Sequence, residues 1–350
     1  MTKTLRCAVI GAGAISTEHL NSLALCRRAV TVAIAEPNRK RAREAADRFD
    51  IPRIYPDHRR LLADPDIDAV IVAVPNYLHA LIAMDALKAG KHVLLEKPMA
   101  MNARQAAAII KAAEASRRVF MVGMNFRFHA QTQLARQAIQ RGELGELYHA
   151  RCFYLRRAGI PRIGSWFTQK NLSGGGCTLD IGVHMLDASL HLMNDFDVAT
   201  VAAQTHARLG PQKLGNGTWG KSEIDPRLPF TVEDYCTALI RLKSGRTVQF
   251  EMSWAAFHSP EQREMGIDLL GSRGGLSLFP ARVCRNHSAG YETLILDKKR
   301  LPQPEDRVHH FVDCVLDGKR PFVPPRESLK VQKILDAIYA SAKTRREVRL

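Results

Sequence analysis

The chain has 350 residues, 46% hydrophobic and 25% charged, which excludes extended disorder and suits two domains, since single cores stop growing at about 250–300 residues. No window of about 18 uncharged apolar residues occurs, so a membrane helix is excluded; the seven cysteines, odd in number and without a C-x-x-C pair, argue for reduced thiols and against a disulfide scaffold or a metal site. The 51 Lys and Arg against 35 Asp and Glu give a formal net charge of +16, but basic pairs such as Arg27-Arg28 and Arg345-Arg346 are scattered, which reads as a solvated surface and not a nucleic-acid footprint; a phosphorylated or carboxylated substrate is the second reading of that charge.

Met1 to Arg6 leads straight into the apolar run Cys7–Ile10, with neither the apolar length nor the cleavage site of a signal peptide, so a cytoplasmic protein is expected. Strand-like and helix-like runs then alternate. Cys7–Ile10 reads as a buried strand, Ala14–Leu25 as a helix, Val30–Ala35 as a strand and Arg39–Phe49 as a helix. Ala69–Val74, His92–Glu96 and Val119–Val122 read as further strands, with helices over His79–Ala89 and Ala103–Ser116 between them. This alternation builds a parallel sheet with helices on both faces. A first domain is expected over residues 1–124 and a second over 125–350.

The first strand runs into Gly11-Ala12-Gly13-Ala14-Ile15-Ser16, one residue off the G-x-G-x-x-G dinucleotide fingerprint. Gly11 allows the tight turn, and Gly13 lets the backbone approach a pyrophosphate at the helix N-terminus. The third glycine mainly serves helix–strand packing, where small Ser16 is a tolerable replacement. Gly11, Gly13, Ala14 and Ile15 are therefore expected cofactor contacts. Glu36 ends the second strand, 25 residues after Gly11, where an acidic side chain binds the adenosine ribose hydroxyls and repels a 2′-phosphate. That favours NAD over NADP. A merely solvated Glu36, and an Arg39 that accepts the extra phosphate, are the competing readings.

Two further segments carry a resemblance. One is Val74-Pro75-Asn76-Tyr77-Leu78-His79, followed by Gly90 to Leu95 and Glu96-Lys97-Pro98; the other is Ser173-Gly174-Gly175-Gly176-Cys177-Thr178-Leu179-Asp180-Ile181-Gly182-Val183-His184. With the glycine turn, and with Asp268 to Gly275 and the tail from His310 to Arg349, nearly the whole chain resembles the Gfo/Idh/MocA oxidoreductases, named for glucose–fructose oxidoreductase and inositol dehydrogenase. The resemblance implies an N-terminal Rossmann domain and a C-terminal α/β domain on a large, mostly antiparallel open sheet. That sheet would make a homodimer or homotetramer. The active site would lie between the domains, with Pro75 and Asn76 on the nicotinamide side and Glu96 reaching the cofactor ribose.

Oxidising a secondary alcohol requires a hydride to leave carbon and the hydroxyl proton to find an acceptor. His184 is the natural acceptor, because imidazole titrates near neutrality. Asp180 lies four residues earlier in a run, Leu179–Met193, that reads as one helix, so the two share a face; Asp180 either orients the ring or binds a substrate hydroxyl. Lys97 brings positive charge to the developing alkoxide. Lys97, Asp180 and His184 form the expected catalytic set and also touch substrate. Pro98 stiffens the turn. His79 reads equally as a cofactor contact or a helix-start residue, and Arg127 as a substrate contact or a brace of the cleft. Tyr154, Arg156 and Trp166 are further substrate candidates, although Tyr154 and Trp166 suit a core equally well. Trp254, Asp187 and His191 read as structural.

The expected function is hydride transfer between NAD and a secondary alcohol of a sugar, sugar derivative or inositol. Two alternatives remain open. One is an enzyme that retains NAD for transient substrate oxidation, as some glycosidases and epimerases do. The other is a non-catalytic NAD-binding sensor, which the intact Lys97, Asp180 and His184 disfavour.

Overall fold

The computed structural model describes residues 4–259, 261–288, 290–297 and 306–350. Six strands, β1 (Leu5–Ile10), β2 (Ala29–Ala35), β3 (Arg53–Tyr55), β4 (Ala69–Val72), β5 (His92–Leu95) and β6 (Phe120–Val122), form a parallel sheet in the order β3-β2-β1-β4-β5-β6. Between them run α1 (Ala14–Leu25), α2 (Arg39–Phe49), α3 (His58–Leu62), α4 (Asn76–Lys88) and α5 (Ala103–Ser116). All four residues of β4 are buried, the continuous apolar run that a strand covered on both faces requires. Chain order reverses between β1 and β4, and the crevice at such a reversal is where ligands bind.

The alternating pattern matches the expected one with three differences. Strand β3 and helix α3 are too short to show a periodicity. Strand β4 stops at Val72, and α4 begins at Asn76 with Pro75 at its cap, so His79 lies inside the helix and not at its start.

The second sheet is built from β7 (Leu147–Leu155), β9 (Val198–His206), β11 (Tyr235–Leu242), β12 (Thr247–Ser253), β13 (Met265–Gly271), β14 (Gly275–Leu278), β15 (Arg282–His287), β16 (Gly290–Ile295) and β17 (Val348–Arg349). A small parallel bridge joins β8 (Ile160–Pro161) to β10 (Asn216–Gly217). The nine strands follow the order β16-β15-β14-β13-β7-β12-β11-β9-β17 and are antiparallel except at β7–β12. Alternation sets the faces: in β11, Cys236, Ala238, Ile240 and Leu242 are buried while Leu239 and Arg241 are exposed. Helices α6 (Ala130–Gln140), α7 (Lys170–Ser173) and α8 (Val183–Met193) follow the first sheet, and α8 covers the inner face of β7.

The chain end ties the two sheets together. Helix α10 (Pro325–Thr344) packs on β9, α5 and α8, and α9 (Arg307–Asp317) packs on α1. At the α1–α9 contact Ser22 donates to Asp306 Oδ1 at 2.5 Å, and Arg28 pairs with Asp313 and Asp317. Arg307 reaches into the first sheet, its Nη1 3.0 Å from Glu96 Oε1. No helix among the described residues is long and apolar enough to cross a membrane.

Removing one partner of a buried ion pair strands the other charge, at a cost of about 3–5 kcal/mol. Arg307→Met is therefore expected to lower unfolding free energy by that order at pH 7, measured by denaturant titration. A native-like midpoint would show that His19 and the Lys97 N–H suffice for Glu96.

Candidate active site

The segments that follow all six strands of the first sheet at their carboxyl ends meet α8 and the inner face of the second around a cavity of about 700 Å³. Gly11 sits at φ +101°, and a Cβ there would collide with the Ala73 carbonyl oxygen. Gly13 caps α1 without a side-chain hydrogen bond, and a Cβ built on it meets no atom within 4 Å. The first backbone N–H groups of α1 thus face open space, the arrangement that receives a phosphate. Ala14 and Ile15 line the same wall.

Glu36 is buried at the end of β2. It accepts from Ala12 N and Asn38 N, each at 2.9 Å, and from Arg41 Nη2 at 3.0 Å. Arg39, the expected phosphate acceptor, is exposed and does not line the cavity; Arg41 does. Positions two apart on a helix point about 200° away from each other, and Asn38, which caps α2 by accepting from Arg41 N, fixes which of the two faces inward.

Pro75 and Asn76 line the cavity, and Asn76 Nδ2 donates to Ser173 O at 2.8 Å. His79 also lines it, but its ring is engaged by Pro98 O at 2.7 Å and Val74 O at 2.9 Å. Burial lowers its pKa against the pull of those carbonyls, so it braces two loops. Glu96 lines the wall with both oxygens in use: Oε1 accepts from His19 Nε2 at 2.7 Å and Arg307, and Oε2 accepts from Lys97 N at 3.1 Å. Burial alone would raise its carboxyl, and Arg307 with His19 more than offsets that, leaving it well below its ordinary range.

Lys97 Nζ donates to Asp180 O at 2.8 Å and to Asp180 Oδ1 at 2.9 Å; Trp254 Nε1 donates to Asp180 Oδ2 at 2.9 Å. Burial pushes the Asp180 carboxyl up, and Lys97 above all brings it below its ordinary value. The expected single helix is interrupted here: Thr178–Gly182 is a π-helical turn and α8 begins at Val183. A π turn is wider than an α turn, and with its carboxylate taken by Lys97 and Trp254, Asp180 does not orient the His184 ring.

The turn is held from far along the chain. Glu233 accepts from Gly176 N and Thr178 N, each at 3.0 Å, and from Tyr339 OH at 2.9 Å. A Cβ on Gly175 would strike the Tyr339 hydroxyl, and one on Gly176 the Glu233 carbonyl. This is the physical use of the glycine run. His184 lies one turn further, stacked on Phe126 with ring centroids 4.8 Å apart and planes 20° from parallel. Its Nδ1 is buried with no hydrogen-bond partner among the described residues. Burial first, then the Lys97 charge, hold the imidazole well below its ordinary pKa.

Tyr154, Arg156 and Trp166 all line the cavity. Arg156 lies over the Tyr154 ring at 4.4 Å and donates to its hydroxyl at 2.9 Å. Trp166 stacks on Phe167 at 3.7 Å, and Trp219 meets Phe167 edge-on at 5.4 Å. Arg127 is the one substrate candidate outside the cavity. It is buried and forked onto Asp187 at 2.8 and 2.6 Å, the placement that its alternative reading as a brace of the cleft expects.

Residues 5–124 match the family described as an oxidoreductase family with an NAD-binding Rossmann fold, and residues 132–277 match the GFO/IDH/MocA C-terminal domain. The chain belongs to the Gfo/Idh/MocA oxidoreductase family. It is 32% identical to the D-glucoside 3-dehydrogenase of Escherichia coli strain K12 over 99% of this chain and 97% of that protein. It is 26% identical to the myo-inositol 2-dehydrogenase of Thermotoga maritima over 77% and 74%. A levoglucosan dehydrogenase in complex with NADH and levoglucosan superposes with a TM-score of 0.85 at 25% identity, covering 99% of each chain. This Gfo/Idh/MocA member is an NAD-dependent oxidoreductase acting on a CH–OH group. Its own residues fit that cofactor: the uncapped start of α1, the open face of Gly13 and the buried Glu36 carboxylate line one continuous wall.

Arg41, Phe126, Trp219, Trp254 and Glu233 escaped the sequence reading. Phe126 stood beside a residue that was singled out, and Trp254 passed for core because it is core as well as donor. Nothing local marks Glu233. Trp254→Phe keeps the apolar bulk and removes the donor to Asp180. A hydrogen bond to a charged group contributes about 1.5–3 kcal/mol, so unfolding free energy is expected to fall by up to that order, and kcat/KM roughly 10- to 100-fold where the same bond positions Asp180 for reaction. Wild-type kcat/KM would mean that Lys97 alone fixes Asp180.

Proposed function

We propose that this enzyme interconverts a secondary alcohol and a ketone on a sugar, a sugar derivative such as a glycoside, or an inositol. The observation that carries the reading is the Lys97–Asp180 pair and His184 on one cavity wall, beside Tyr154, Arg156 and Trp166. The names of the relatives above favour the same substrate class. When bound, the nicotinamide supplies the hydride acceptor. Lys97 has three N–H donors and spends two on Asp180, leaving one to stabilise negative charge on the substrate oxygen. With Nδ1 buried, Nε2 of His184 is the ring nitrogen left to take the hydroxyl proton. The flat face of Trp166 suits the apolar face of a sugar ring.

Two related assignments accompany this. A homodimer or homotetramer through the outer face of the large sheet is supported by exposed Leu239 and Leu270. A cytoplasmic location is supported by the seven cysteines, none of them in a disulfide and six of them buried.

A screen for NADH formation over myo-inositol, methyl glucosides, aldoses and anhydrosugars tests the substrate class; no turnover on any of them counts against it. Lys97→Ala and His184→Ala are each expected to lower turnover about 100-fold or more while NADH still binds. The pH profile carries a sign. His184 is depressed below its ordinary 6.5, so the neutral base persists at and above pH 6.5, and activity is lost only as pH falls through a lower value. An acid limb of kcat/KM above 6.5 would remove His184 as the acceptor.

One observation favours the second reading, retention of NAD through a transient oxidation. Residues 219–223 line the cavity as a roof, and Arg41 Nη1 donates to Lys221 O at 3.3 Å across it. On that reading NAD(H) stays with the protein through gel filtration, detected by native mass spectrometry; a cofactor-free protein that turns over added NAD stoichiometrically decides for the dehydrogenase.

A further inference from the structure

A histidine that moves a proton is ordinarily oriented by a hydrogen bond on its second nitrogen. His184 lacks one: Nδ1 is buried without a partner among the described residues, and Asp180 is held by Lys97 and Trp254. What touches the ring is Phe126, which also meets His129, tilted at 4.6 Å, and Phe279, edge-on at 5.7 Å. Phe126 belongs to the short 3-10 turn Asn125–Phe128. The next residue of that turn, Arg127, has a side chain with no exposure, forked onto an Asp187 side chain that is 1% exposed. Asp187 stands three residues after His184 on α8, so it shares that helix face. Arg127 also donates to Glu327 Oε2 at 2.6 Å and to Phe322 O at 3.3 Å. Two consecutive residues of the turn thus grip two positions of α8 one turn apart. A guanidinium is buried this way only when fully paired, so the grip is rigid.

We propose that Arg127 and Asp187 are positioning residues for proton transfer: their ion pair fixes the turn that presses Phe126 against His184, doing by stacking what a hydrogen bond does for other catalytic histidines. The inference rests on His184 as the proton acceptor. The largest charge effects on His184 come from Lys97, Asp180, Glu96 and Arg307, and Phe126→Leu and Arg127→Lys leave every formal charge in place.

The test uses the full chain with bound NADH, histidine-labelled for NMR, in the variants Phe126→Leu, Phe126→Tyr, Arg127→Lys and Asp187→Asn. In the wild type, the His184 ring titrates below 6.5. In Phe126→Leu, Arg127→Lys and Asp187→Asn its midpoint moves up toward about 6.5, and Phe126→Tyr keeps the wild-type titration. Turnover of methyl glucoside, where it occurs, falls about 10- to 100-fold in the same three variants, and Phe126→Leu/Arg127→Lys loses no more than either single change. If Arg127→Lys does not fold, Asp187→Asn and Phe126→Leu decide. An unmoved His184 midpoint in folded variants overturns the proposal even if turnover drops. A His184→Ala enzyme with wild-type turnover sinks instead the underlying reading of the base.

Discussion

The ion pair between Lys97 and Asp180 joins groups that the fold brings from different sheets, and most of the cavity is arranged around satisfying it. Neither side chain is more than 16% exposed, and a charge taken out of water must find compensating contacts or change protonation state. Asp180 finds them in Lys97 and in the Trp254 indole, both on its carboxylate. Lys97 finds them in the carboxylate and backbone carbonyl of Asp180. That carbonyl belongs to the π turn over Thr178–Gly182, and with two lone pairs it can accept from Lys97 beside any helical partner.

The same rule explains the other charges. Glu36 has Arg41, Glu96 has Arg307 and His19, and Glu233 has backbone N–H groups and Tyr339. Each carboxylate is held by the protein before any ligand arrives, so ligand-binding groups need no reorganisation. Glu96 illustrates the division of labour. By sequence it reads as a ribose contact, and in the structure it anchors the residue next to it, fixing the strand end from which Lys97 projects. Pairing at Glu96 and pairing at Asp180 therefore fix the two ends of one short chain of contacts.

Local signals were legible in the sequence and long-range ones were not. The six-stranded sheet shows itself because each central strand is a continuous apolar run and each helix repeats on its own period. The glycine turn, Glu36, Lys97, Asp180 and His184 were legible because each sits in a segment whose neighbours constrain it. Arg39 for Arg41 is an error of helix phase, set by the Asn38 cap. Arg127 reads equally as a substrate contact or a brace, and here carboxylates from α8 and α10 draw it inward. Glu233, Trp254 and Tyr339 lie roughly 50 to 160 residues from the turn they hold, and no spacing encodes that distance.

The surplus of basic residues can now be placed. Arg27, Arg59, Arg60, Arg157, Arg345 and Arg346 are exposed, while Arg41, Lys97 and Arg307 at the cavity each face a carboxylate. Much of the net charge of +16 thus lies on the solvated surface, and among the described residues Lys221 and Arg156 are the cavity-lining cations without a close carboxylate. For Arg156, Glu264 lies 4.0 Å away and is mostly exposed. Its guanidinium lies over the Tyr154 ring at 4.4 Å, and its charge helps to lower the Asp180 carboxyl. A cation so placed supports the Lys97–Asp180 pair electrostatically and presents its remaining donors to hydroxyls. Together with Trp166, Phe167 and Trp219, it forms one aromatic and cationic wall of the cavity.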